Sequence, residues 1–140
     1  MANAARLKNN EVFRAAFKRL CELEGQKYGD PLERKFYAGL AAYEEVLSAK
    51  NGRKTIANRT RPMLKRKGVM SCLLKWALDK KPTDGFRILI DQGAPELTAE
   101  YLAVEFCDRF PADAVENARS KLKSAGVGAP APYEAQIDDE

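Results

Sequence analysis

Apolar side chains along this chain return every three or four positions, with almost no strict alternation, and that spacing predicts helices. Residues 10–24 carry a stripe of Phe13, Phe17, Leu20 and Cys21, with Gly25 as a stop. The strongest signal follows. Asp30-Pro31-Leu32-Glu33 combines an acidic N-cap, proline at the first helical position and glutamate three residues beyond the cap. Leu32, Phe36, Leu40, Tyr43 and Leu47 then lie on one face until Asn51-Gly52. A turn at 26–29 should fold these two helices into an antiparallel hairpin.

The remaining pattern is shorter in rhythm. Pro62 disfavours helical geometry at Arg61, so a helix starting at Thr60, with proline in its first turn, fits residues 60–67 best. Thr55 or Thr60 offers a cap. Past Gly68, the stripe Val69, Cys72, Leu73, Trp76 and Ala77 predicts a helix that Pro82 stops. Thr83 caps a short helix through Phe86, Leu89 and Ile90, although Phe86–Ile90 is also the one stretch with strand character. Residues 96–107 carry Leu97, Tyr101, Leu102, Val104 and Phe106 on two sides, the mark of a central helix. Pro111 opens a last helix with Val115, Ala118 and Leu122, ending at Gly126. The expected fold is therefore all-α: a single domain over residues 1–126, built as an irregular bundle of six or seven helices. Residues 127–140, with Gly128, Pro130 and Pro132, read as a flexible acidic tail.

Composition agrees with that reading: 45% hydrophobic and 31% charged residues suit a globular domain. The length leaves no room for a second core and makes no disulfide or metal staple necessary. No apolar run is long enough for a membrane span, and residues 1–10 lack the apolar core of a secretion signal. Cys21, Cys72 and Cys107 form no CxxC pair and sit among apolar neighbours, which points to buried free thiols and a cytoplasmic protein.

Charge changes the picture more. The net charge of +4 hides a segment, residues 50–81, with eleven positive groups and Asp79 alone against them. Three clusters supply most of it: Lys50, Arg53 and Lys54; Arg59 and Arg61; Lys65, Arg66 and Lys67. Asn51, Thr55, Asn58 and Thr60 lie between them, small polar groups able to donate to phosphate oxygens. Guanidinium forks grip phosphate through two bonds, and lysines act as point charges. Such a segment suits a DNA or RNA backbone. The opposing possibility is a solvated surface that pairs with acids elsewhere, notably Glu44, Glu45 or the acidic tail. A helix-turn-helix around Gly68 is disfavoured, because the would-be recognition helix at 70–78 is mostly apolar and offers only Lys75 to a base.

The chain contains no histidine, which removes Ser-His-Asp and Cys-His activation and the usual zinc sites. There is no GxxxxGK[ST], GxGxxG or GxSxG motif. Glu96, Glu100 and Glu105 read as solvated acids on an exposed helical stripe. Tyr28 and Tyr37 are the aromatic rings freest to stack on bases, whereas Tyr43, Tyr101 and Trp76 fall on packing stripes. The function expected is non-catalytic phosphate-backbone binding by Arg53, Lys54, Arg59, Arg61, Lys65, Arg66 and Lys67, with no metal and no cofactor. The competing class is an interaction module, an inhibitor or adaptor, that docks an acidic protein surface.

Overall fold

The computed structural model describes Arg19, Leu23 and residues 28–134. Among them are six α-helices and no strand: α1 Pro31–Asn51, α2 Thr60–Lys67, α3 Val69–Leu78, α4 Asp84–Asp91, α5 Ala99–Glu105 and α6 Ala112–Ser124. Single 3-10 turns at Pro95–Leu97 and Cys107–Arg109 flank α5. The first expected helix and its hairpin lie outside the described residues, except that Arg19 and Leu23 are helical. The stretch with strand character is helical in α4, where Thr83 Oγ1 accepts the Phe86 N–H at 3.2 Å.

Helix α1 begins as its sequence dictates, with Asp30 accepting from the Leu32 N–H and Pro31 at the first position. It ends on Gly52 at φ 69°, a left-handed residue whose N–H returns to the Ser48 carbonyl. Its buried face, Leu32, Phe36 and Leu40, meets Leu73 of α3, Phe86 of α4 and Leu102 of α5 in one core. Helices α3, α5 and α6 pack on one another, and α1 packs against α5 and α4. Close approach of α1 to Leu97 requires Gly39, since a Cβ there would stand 2.6 Å from the Leu97 carbonyl oxygen.

The region expected as one helix over 96–107 is broken into three pieces. Thr98 ends the first 3-10 turn and caps α5, donating its hydroxyl to the Pro95 carbonyl at 2.8 Å and accepting the Tyr101 N–H at 3.1 Å. The two-sided apolar pattern still has its expected outcome: Leu102, Ala103, Val104 and Phe106 are all buried. Beyond α6, the described part of the tail runs back along the domain. Val127 packs on the core, the Tyr133 N–H donates to the Glu105 carbonyl at 2.7 Å, and the Tyr133 ring stacks on Phe106 at 4.6 Å between centroids. Asp138, Asp139 and Glu140 lie outside the described residues.

Candidate nucleic-acid interface and adjoining cleft

The basic segment leaves α1 at Gly52 and crosses to α2 through a short, internally tied loop. Ser48 Oγ accepts the Thr55 N–H at 2.7 Å and donates to its carbonyl, while Thr55 Oγ1 donates to the Arg53 carbonyl at 3.0 Å and accepts from Asn51 Nδ2. Two of the small polar residues expected to face phosphate are therefore engaged in shaping the loop. Ala57 is buried, and its N–H donates to Glu44 Oε2 at 2.8 Å. Helix α2 begins without a threonine cap: Arg59 occupies the N-cap position in α geometry and its side chain makes no capping bond.

Of the seven candidate cations, Arg61 stands apart. Its guanidinium donates from Nε and Nη2 to the two carboxylate oxygens of Glu44, which projects from α1. Burial pushes the Glu44 carboxyl up, but the Arg61 fork and the Ala57 N–H outweigh it and hold the group below its ordinary range. Glu44, named among the acids that could neutralise this segment, thus pairs with one cation and braces the loop. Arg53, Lys54, Arg59, Lys65, Arg66 and Lys67 are exposed and form no ion pair among the described residues. Lys65, Arg66 and Lys67 occupy the last turn of α2, where positive charge also complements the helix dipole.

Helices α2 and α3 are joined through Gly68 alone, at φ 85° and ψ 169°. Val69, Cys72, Leu73 and Ala77 turn inward, so α3 serves the core rather than a groove. Cys72 is fully buried, and burial pushes its thiol up. Tyr28 and Tyr37, expected as the free aromatic pair, stack on each other at 3.8 Å with 7° between planes.

Beside the basic segment the bundle opens into a cleft of about 670 Å³ between α1, α2, α3 and α4. Phe36, Leu40, Trp76 and Phe86 give it an apolar wall, with Trp76 half-buried and stacked on Phe36 at 6.2 Å. Arg59, Arg66 and Lys75 line it together with Asp84. Glu100 lines it as well, and here the expectation of a solvated acid is corrected: Glu100 is 1% exposed. At positions 100, 103 and 104 it shares the inward face of α5 with Ala103 and Val104.

The partner of Glu100 is Lys121 of α6, itself buried, with Nζ 3.2 Å from Oε1. That ammonium donates to the carbonyls of Trp76 and Asp79, both at 2.8 Å. Asn117, one turn earlier, donates to Ala77 and Asp79 carbonyls at 2.6 and 2.9 Å. Together they bond the carbonyls at the C-terminal end of α3 and just beyond it. Neither Glu100 oxygen accepts a well-formed hydrogen bond, and burial raises this carboxyl against the pull of Lys121. Glu100 and Lys121 were legible only through their placement among apolar residues at helical spacing: Lys121 stands three and seven positions from Ala118 and Ala114.

Among the described residues no three Cys, Asp or Glu side chains gather as a metal site, and no helix is long and apolar enough to cross a membrane. Comparison with protein-family models, with curated proteins and with solved structures finds no match.

Proposed function

We propose that this protein binds the phosphate backbone of nucleic acid, without catalysis, through the exposed cations of residues 50–67. One observation carries the reading: Arg53, Lys54, Arg59, Lys65, Arg66 and Lys67 remain exposed and unpaired among the described residues, while Arg61 is tied to Glu44. Six positive groups on a loop and one short helix repel one another unless anions occupy the space between them. Release of counterions from a phosphate chain supplies that neutralisation with a favourable entropy. Arg61 has the separate role of holding the loop to α1, so that the other cations are displayed together.

The test is fluorescence anisotropy with labelled single-stranded DNA, RNA and duplex DNA across a salt series. Wild-type affinity should fall log-linearly with salt. Replacing Arg53, Lys54, Lys65 and Lys67 with alanine should reduce the slope by roughly 0.7 for each single-strand phosphate that is no longer neutralised. Arg61→Ala should act chiefly on stability. Absence of binding at low salt, or an unchanged slope in the fourfold variant, overturns the reading. Saturable binding to one acidic protein without affinity for nucleic acid would move the segment to protein docking.

A further inference from the structure

The cleft beside the basic segment has a composition that a backbone-binding surface does not call for. Its wall is aromatic and apolar, and its cations have no carboxylate partners among the described residues. Lys75, which lines it, reaches the Met63 sulfur, 3.8 Å away. We propose that this cleft receives the planar base of one nucleotide against Trp76 and Phe86, with the phosphate held by Arg59, Arg66 and Lys75.

Size, charge and chemistry each favour that occupant. A volume of about 670 Å³ matches a small-molecule site and accommodates a nucleotide. Aromatic walls bind any base through its π face, and an indole does so over the largest area. The three cations select an anionic ligand over a neutral one, since among the described residues Asp84 is the only other charged side chain lining the cleft besides the Lys121-paired Glu100.

Arg59 and Arg66 belong to both the cleft and the basic segment, so a base in the cleft lies next to the proposed backbone track. For a nucleotide within a strand, this inference rests on the function proposed above; for a free nucleotide it stands alone. Bases in a duplex are stacked and paired and do not enter such a cleft, whereas those of a single strand can. The cleft therefore gives the protein a preference for single-stranded nucleic acid.

The chain has one tryptophan, so its fluorescence reports on this cleft. Purine nucleoside monophosphates should quench Trp76 saturably, with the parent nucleosides and inorganic phosphate both weaker. Gly85→Phe is the plugging variant: Gly85 lines the cleft, and a Cβ there meets only Thr83 Oγ1 and the Tyr43 ring, at 3.9–4.0 Å. It should abolish the quench with circular dichroism unchanged. The double substitution Arg59→Ala, Arg66→Ala, at exposed positions, should weaken nucleotide binding by about tenfold or more. With labelled strands, Gly85→Phe should erase the preference for single strand over duplex while leaving duplex binding intact.

Absence of quench in the wild type at low salt overturns the inference, and so does equal quench in both variants. The two proposals separate cleanly. Steep salt-dependent strand binding with Trp76 silent to nucleotides leaves the basic-segment reading standing and removes this one. Nucleotide quench without strand binding does the reverse.

Discussion

Two carboxylate–cation pairs in this molecule show how differently the same chemistry behaves at the surface and in the core. Glu44 and Arg61 meet at the edge of the basic loop, with the arginine side chain 48% exposed and the glutamate 13%. Glu100 and Lys121 meet inside the bundle, at 1% and 5%. At the surface, burial is the largest single influence, but the Arg61 fork and a backbone N–H together overcome it, and the carboxyl titrates below its ordinary range. In the core, desolvation dominates, the ion pair offsets it only in part, and the carboxyl titrates above that range. A buried pair is thus a poor source of stability and a severe liability when broken. Its value here is architectural, since Lys121 ties α6 to the end of α3.

Breaking the core pair should have the largest effect. Lys121→Ala leaves Glu100 buried without a cation and removes the ammonium's bonds to the Trp76 and Asp79 carbonyls, and should cost about 3–5 kcal/mol by urea denaturation. Replacing both partners, as Glu100→Met with Lys121→Met, should restore part of that loss, because no charge is then left buried. If the double variant is no more stable than Lys121→Ala, desolvation does not govern this pair.

Glu44→Gln should cost less, about 1–2 kcal/mol, through the weakened Arg61 fork and the Ala57 N–H bond. It should also release Arg61 to solvent, tightening nucleic-acid binding at low salt and steepening the salt slope by up to about one unit. A drop in affinity instead would show that loop geometry outweighs the added charge.

The pH dependence sharpens the contrast, because the two carboxyls carry opposite signs. The lowered Glu44 contributes stability that is present above about 4.5, its ordinary value, and lost as pH falls through the folded value. The raised Glu100 contributes stability that is present below about 4.5 and lost as pH rises through its folded value. Urea midpoints measured across the acid range should therefore show wild type gaining on Glu44→Gln as pH rises, and losing ground to Glu100→Gln. Parallel curves for the two variants would remove the distinction. The smallest effect belongs to Lys35, whose ammonium meets Glu105 at 2.7 Å in a partly exposed pair. Lys35→Met should change stability by less than about 1 kcal/mol.

Local signals in the sequence determined much of this protein. The Asp30-Pro31 start and Gly52 stop of α1, the proline in the first turn of α2, the Gly68 break and the inward stripe of α3 all follow from backbone chemistry within a few residues. The concentration of positive charge over residues 50–67 is likewise a property of the chain itself. Tertiary structure decided the rest. Thr98 stands three residues into the stretch 96–107 that reads as one helix, and only packing against its neighbours settles whether its hydroxyl caps a new one. Which cation is neutralised depended on Glu44, seventeen positions before Arg61, and the buried Glu100 met Lys121 across two helices. Helical periodicity reports which face of an element turns inward, because that depends on 3.6 residues per turn. It carries no information on which distant charge waits there or where the bundle leaves a cleft, since both depend on how several faces close together.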